Sequence, residues 1–539
     1  MSTPDSHYTD TIKALIDESV KTASNFHSWA SPARIILVIL LRVGFILIEV
    51  GSVPVNNVNW ILLENIIDIC WVTTVYILIG YIIAYNGDVG GLIGEGYWIG
   101  HVEVDKDEAI IGWSAVVIAS AICTCVIGGR THTVGYLVIG FLLSAIVQPF
   151  LIHWAWTSNG WMNRNQLNGK HVIFRDYAGS GVIHLVGGLS GLIGCITLGR
   201  RLLRLKDIDE ASVATGSTGN VCIGQLLVFI GLQMSSNGLS YLYVNNLLAA
   251  SSCSLLVAVL HFILSREKFN HSTVTKCVEA TVAGLVTISA GTDVYSPQTA
   301  IGLGCAGGLI FYLVSRQVFR SALEDYCNTI AIHLACAILG STLAPLCAFA
   351  EDTDVILTLL NFSWQLISLI VVSCFVTFVM GITFVTLQCF GVLRNRSEHL
   401  NHLRAIAAMR NAPKRCYMQR LFPLDNGSIY LQPGSLSNFG DKPSVDSRFR
   451  EYKEEVDNLE ESISCETNRV ETKEDSKIHE VDKGYREIII LYRISKLNLL
   501  VLIKKYFFIL LVKLGYLVVI LNKMEIPRST NSINTVNQR

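Results

Sequence analysis

Asp176-Tyr177-Ala178-Gly179-Ser180-Gly181-Val182-Ile183-His184-Leu185 returns in altered form as Asp325-Tyr326-Cys327-Asn328-Thr329-Ile330-Ala331-Ile332-His333-Leu334. Both copies read Asp-Tyr, five further residues, then Ile-His-Leu, and both run into stretches rich in Gly, Ala and Leu. At about 1.5 Å per helical residue, each histidine lies roughly 12 Å beyond its aspartate. If each aspartate begins a membrane helix, each histidine falls near the middle of a hydrocarbon core about 30 Å thick. One histidine there reads equally well as a satisfied core residue. Two at the same register of a repeat point to function, because an ionisable group inside a bilayer is costly.

Composition supports the membrane premise. Of 539 residues, 51% are hydrophobic and 16% charged. The apolar residues form long runs parted by short polar links, the pattern of an all-α polytopic membrane protein. A net charge of −1 argues against a nucleic-acid partner. The 15 cysteines form no CxxC ladder, and Cys123-Thr124-Cys125 lies within an apolar run. They read as small reduced apolar residues, not as a disulfide or zinc framework.

Eleven transmembrane segments are expected, at about 34–53, 60–85, 109–129, 133–155, 177–198, 219–240, 244–265, 274–292, 298–317, 327–349 and 362–392. The links after odd-numbered segments carry base: Arg200, Arg201, Arg204 and Lys206 after the fifth; Arg266, Lys268 and Lys276 after the seventh; Arg316 and Arg320 after the ninth. Acid dominates after the second and tenth, while Arg164, Lys170 and Arg175 after the fourth are an exception. The positive-inside rule then puts the N-terminus outside and the C-terminus in the cytoplasm. The fifth segment would run inward and the tenth outward with their histidines matched. That is the pattern of a five-plus-five inverted repeat, whose site lies near the midplane.

Four regions follow. Residues 1–33 are a polar extracellular segment without the pattern of a cleaved signal peptide. Residues 34–393 are the membrane domain. Residues 394–485 are polar and charged and read as a largely disordered cytoplasmic tail. In 486–539 an apolar stretch is interrupted by Arg493, Lys496, Lys504, Lys505 and Lys513, which suits an interfacial helix better than a further span.

Several stretches in order resemble the ammonium transporter family (Amt/Mep/Rh), Amt-like branch. They are Gly44-Phe45 with Glu49 and Gly51-Ser52-Val53, then His153-Trp154-Ala155-Trp156, then Asp176 to Gly188. Ala283-Gly284-Leu285-Val286 with Ser289-Ala290-Gly291, Ser296-Pro297 and Asp325 to Leu334 complete the set. The resemblance implies a homotrimer in the lipid bilayer, by expectation the plasma membrane, with one pore per subunit. The substrate it implies is NH4+ or NH3. It implies a transport protein and not an enzyme, with no cofactor and no metal. His184 and His333 would be the twin histidines of the pore, their rings sharing a hydrogen bond. Trp156 and Ser240 would recruit ammonium at the outer mouth, Trp156 through its aromatic face. Asp176 would favour cation binding without touching the ion.

The residues permit blander readings. Trp156 alone reads as an interfacial belt residue. Asp176 suits a cap on the first turn of its helix, as does Asp325. Burial disfavours a charged imidazole, so both histidines are expected neutral, each with one donor and one acceptor. Haem or metal ligation by paired histidines is the weaker alternative, since no carboxylate or cysteine shares their register. Gly179, Gly181, Gly187, Gly188 and Gly191 read as a close-packing surface between helices.

The chain also departs from the family. Ala115 and Ser236 occupy the expected positions of two stacked phenylalanines that gate the pore, with Trp113 as a gate substitute. Asn328 replaces an acidic residue, and Leu334 replaces a glycine. Arg42 stands within the first span where glutamine is common, and Glu49, seven residues on, is its expected neutralising partner. These departures keep two other readings open: a non-conducting ammonium sensor signalling through 394–485, and an Rh-like electroneutral channel for NH3 or CO2.

Overall fold

The computed structural model describes residues 30–52, 58–85, 87–199, 217–236, 239–264, 271–321, 323, 325–348 and 354–395. The chain divides into two units, Met1–Leu424 and Asp425–Arg539. The second unit, and the expected tail and interfacial helix beyond residue 395, lie outside the described residues, as do residues 1–29.

Among the described residues, eleven long helices follow one another. They are α1 (Ala30–Ser52), α2 (Val58–Tyr85), α3 (Lys106–Ile127), α4 (Thr133–Trp156), α5 (Ser180–Leu198), α6 (Thr218–Ser236), α7 (Ser240–Leu264), α8 (His271–Ile288), α9 (Pro297–Arg320), α10 (Ile330–Cys347) and α11 (Val355–Cys389). A small antiparallel hairpin, β1 (Gln166–Leu167) and β2 (Lys170–His171), lies between α4 and α5. All eleven coincide with the expected segments to within several residues, and ten are long and apolar enough to cross a membrane. The chain is an integral membrane protein. The remaining helix, α8, carries Lys276 and Glu279 in its first half.

Short polar residues start the helices by accepting otherwise unpaired N–H groups. Asp105 accepts from Asp107 N, Ser217 from Asn220 N, and Ser296 from Thr299 N. Asp354 accepts from Ile356 N, so α11 begins at Val355 and runs for 35 residues. The hydropathy reading began it near 362. At that length it spans about 50 Å, well beyond the hydrocarbon core.

α3 is buried along most of its length and forms the centre, with α5 packed against it and α10 against α5. A Cβ on Gly187 would meet Ala119 O at 2.8 Å, and one on Gly191 would meet Val126 Cγ2 at 2.6 Å. Gly188 faces Leu334, whose backbone N would lie 2.8 Å from such a Cβ. The bulk of Leu334 in place of a glycine is thus accommodated by the bare backbone opposite. Gly179 differs from its neighbours, because its φ of +86° makes the left-handed turn that enters α5.

Arg42 pairs with Asp68 of α2 instead of Glu49. Ser120 of α3 donates to both Asp68 oxygens at 3.0 and 2.9 Å. Glu49 accepts from Asn65 Nδ2 at 3.0 Å. Same-helix spacing pointed to the wrong acid, since a neighbouring helix presents a carboxylate closer to the guanidinium.

The three bases of the link after α4 are each matched with acid: Arg164 with Asp88 at 2.8 Å, Arg175 with Asp293 at 3.1 Å, and Lys170 with Asp354. At the opposite end of the bundle, Arg130 donates to Gly199 O at 2.9 Å and Val126 O at 3.2 Å, serving the C-terminal ends of α3 and α5. The chain leaving α11 returns there: His132 N donates to Leu393 O at 2.8 Å, Asn395 N to Arg130 O at 3.0 Å, and Arg394 to Leu198 O at 2.7 Å.

Candidate functional site

The duplicated sequence is duplicated in geometry. Asp176 accepts from Gly181 N at 2.9 Å and Val182 N at 2.8 Å, while Asp325 accepts from Ile330 N at 2.6 Å. Each carboxylate therefore reaches the N–H five residues on and anchors the start of its helix. Each helix then opens with a π-helical turn, Ser180–Leu185 in α5 and Ile330–Ala335 in α10. His184 N accordingly donates to Gly179 O, five residues back, at 2.9 Å. Such turns often mark functional positions.

The two π turns bring His184 and His333 together. Their Nδ1 atoms are 3.1 Å apart, with ring centroids separated by 5.0 Å and planes inclined by 18°. They are 2% and 3% exposed. An Nδ1–Nδ1 hydrogen bond between neutral rings requires opposite tautomers. One ring donates at Nδ1 and keeps a bare Nε2; the other accepts at Nδ1 and keeps an Nε2–H. The pair as a whole therefore offers one acceptor and one donor at its outer edges. Phe45 of α1 packs on His333, with ring centroids 5.7 Å apart.

A cavity of about 20 Å³ reaches His184, lined also by Ala178, Leu232, Ser235, Asn246, Leu285, Ser289 and Thr292. That is room for about one water-sized molecule. It lies at the helix ends that loop charge assigns to the outside. Asn246 Nδ2 donates to Gln233 Oε1 at 2.9 Å and to Ser236 Oγ at 3.1 Å, so this wall is a fixed polar network. Backbone bonds from Tyr177 N to Ala290 O and Ala178 N to Ser289 O, at 3.0 and 2.8 Å, dock the entry of α5 onto the end of α8.

Trp156, the last residue of α4, donates from Nε1 to Asp176 O at 2.9 Å, tying the indole to the turn that begins α5. Ser240 is exposed at the start of α7 and is not among the residues lining the cavity; Ser235 is. Trp113 donates to Thr73 Oγ1 of α2 at 2.9 Å, which turns it towards α2, and it does not line the cavity. Ala115 is fully buried within α3. Among the described residues, no phenylalanine, tyrosine or tryptophan lines this cavity. Asn246 and Thr292 were not singled out from sequence. The adjacent amides Asn245 and Asn246 inside an apolar run were the available signal, since a buried amide in a span must find partners.

Burial pushes the Asp176 carboxyl up to about 6, against the pull of the Gly181 and Val182 N–H groups. The folded chain thus holds this proton more tightly than the unfolded chain. Its contribution to stability is fully present below about 3.8 and is lost as pH rises through about 6. Asp176→Asn is expected to remove that share of the slope, at most about 3 kcal/mol. Thermal unfolding of the purified protein at several pH values checks it, and parallel pH profiles for the two proteins would contradict it.

Eleven long helices around a buried pair of facing imidazoles define a polytopic membrane protein with a polar site inside its helix bundle. Residues 32–402 match the Ammonium Transporter Family, and the chain belongs to that family. It is similar to ammonium transporter 1 member 3 of Solanum lycopersicum, at 27% identity over 67% of this chain and 87% of the relative. It is also similar to putative ammonium transporter 1 of Caenorhabditis elegans, at 25% identity over 62% of this chain and 66% of the relative. In fold it resembles a solved structure described as a sensor Amt protein, with a TM-score of 0.60 and 21% identity over 70% of this chain and 96% of the other. A second likeness is Mep2 of Saccharomyces cerevisiae, with a TM-score of 0.57 and 19% identity over 68% and 89% of the two chains.

Proposed function

We propose that this chain moves ammonium across its membrane by taking up NH4+ near Trp156, removing its proton, and passing NH3 along His184 and His333, with the proton following over the two imidazoles so that net charge crosses. The observation that carries this reading is the 3.1 Å contact between the two imidazoles, beside a cavity sized for one small molecule. An isolated monovalent cation stripped of its water costs on the order of tens of kcal/mol in a low-dielectric interior. A neutral amine loses only its hydrogen bonds, about 2–7 kcal/mol if none are replaced. Here Ser235, Ser289, Thr292 and Asn246 offer oxygen acceptors in the cavity, and the histidine pair offers one donor and one acceptor beyond it. The neutral species therefore meets the smaller barrier. Asp176 acts through the α5 turn it anchors, and Trp156 is coupled to the same turn through its indole bond. By the family resemblance the assembly is a homotrimer in the plasma membrane, with ammonium or ammonia as the substrate.

The test is current in voltage-clamped cells expressing the chain, with ammonium or methylammonium added at several pH values. A saturable inward current, absent with K+, is the expected result. Surface pH change without current would shift the reading to neutral NH3 passage. Neither signal, with the protein at the cell surface, would overturn transport and leave a non-conducting sensor.

A further inference from the structure

We infer that Glu279 of α8 is a positioning residue for the histidine pair, acting through Asn328, and that these two residues form one interchangeable unit. The inference rests on the proposed role of His333 in transport. Asn328 has a φ of +52° in the turn that opens α10, a left-handed conformation that costs energy for a side-chain-bearing residue. Its side chain bridges two other helices. Ser315 Oγ of α9 donates to Asn328 Oδ1 at 2.9 Å, and Asn328 Nδ2 donates to Glu279 Oε2 at 2.6 Å. Ser315 and Glu279 are only 2% and 3% exposed. Asn328 O then accepts from Ile332 N at 2.9 Å, inside the π turn that ends just after His333.

The direction of these bonds fixes the chemistry. A carboxylate at 279 can only accept, so the amide must present its NH2 group to α8 and its oxygen to the Ser315 hydroxyl. Turning the amide over would set oxygen against oxygen at 2.6 Å. An aspartate at 328 would put a second acid there, and the two could keep the contact only by holding one proton between them. The amide at 328 and the acid at 279 thus complement one another with no shared proton. The acid that the family resemblance would place at 328 is set beside that position here by a different helix. The same helix carries Leu285 and Ser289 to the cavity wall. The clamp therefore sets α8 and α10 in register at one end, and further along the same pair of helices sit His333 on α10, which meets His184 of α5, and the cavity residues of α8.

The test compares wild-type protein with Asn328→Asp, Glu279→Gln and the exchange variant carrying both changes. The exchange rebuilds the bond with donor and acceptor reversed, and an aspartate oxygen still accepts from Ser315. Two measurements are made: methylammonium uptake in proteoliposomes as a function of concentration, and the His184–His333 separation from cryo-electron microscopy of each purified protein. Asn328→Asp is expected to lower the maximal uptake rate roughly tenfold or more with little change in KM, since a displacement of about 1 Å at a working group has that scale of effect. Its imidazole contact should open, and the exchange variant should restore both rate and contact. A general loss of packing would not be repaired by reversing one hydrogen bond. The inference is overturned if Asn328→Asp keeps wild-type rate and contact, or if the exchange variant is as impaired as the single ones. Should wild-type protein move no methylammonium, the transport reading falls, and the separations alone decide the clamp.

Discussion

Replacing His184 with alanine is expected to lower ammonium uptake by tenfold or more while leaving a folded, assembled protein. The reason lies in the bond the two rings share. Without His184, Nδ1 of His333 loses its partner in a site that is 3% exposed. A hydrogen bond withheld from NH3 as it passes the pair costs about 1–3 kcal/mol, and each 1.4 kcal/mol added to a barrier is about tenfold in rate. The path also loses the Nε2 function that His184 contributes. The backbone has no stake in the imidazole: the π turn of α5 is held by main-chain bonds to Gly179 O and by the Asp176 carboxylate. Uptake of labelled methylammonium, read beside a size-exclusion profile, separates the two effects. Uptake unchanged by the substitution would remove the histidine pair from the mechanism.

The largest effect on stability is expected at a different place. Arg42→Ala should destabilise the protein by about 3–5 kcal/mol, because it strands the Asp68 carboxylate in the bundle with no counter-charge in place of the guanidinium. The Ser120 hydroxyl that also reaches Asp68 supplies a hydrogen bond and no formal charge. Removing both charges together, as in Arg42→Met with Asp68→Leu, should cost far less, since a buried ion pair barely repays its own desolvation. Thermal unfolding in detergent of the single and paired variants tests this. If the double variant is no more stable than Arg42→Ala, the pair contributes through something other than mutual neutralisation.

The sequence was informative wherever one helix answers to its own residues. Apolar runs marked the eleven helices, and the bonds that Asp176 and Asp325 accept lie within five or six residues along the chain. The two Asp-Tyr repeats located the histidines, and the structure joins them. The expectation that fails concerns a partner on another helix. Arg42 was assigned to Glu49 by helical spacing, and the actual partner comes from α2. Trp113, the expected gate substitute, donates to Thr73. Ser240 lies at an exposed helix start, and Ser235 is the hydroxyl of this region that lines the cavity. Nothing in a 3.6-residue period announces a π turn.

Those π turns have a consequence for how the helices keep their phase. A π turn carries one residue more than the α turn it stands in for, and one residue is about 100° of rotation. The extra residue is absorbed within Ser180–Leu185 and Ile330–Ala335 themselves. Gly187, Gly188 and Gly191 therefore meet α3 and α10 on a face set independently of the direction in which His184 points. The two requirements are uncoupled: the packing seam has one angular origin and the imidazole has another. Either can be retuned by a single residue without turning the other out of place.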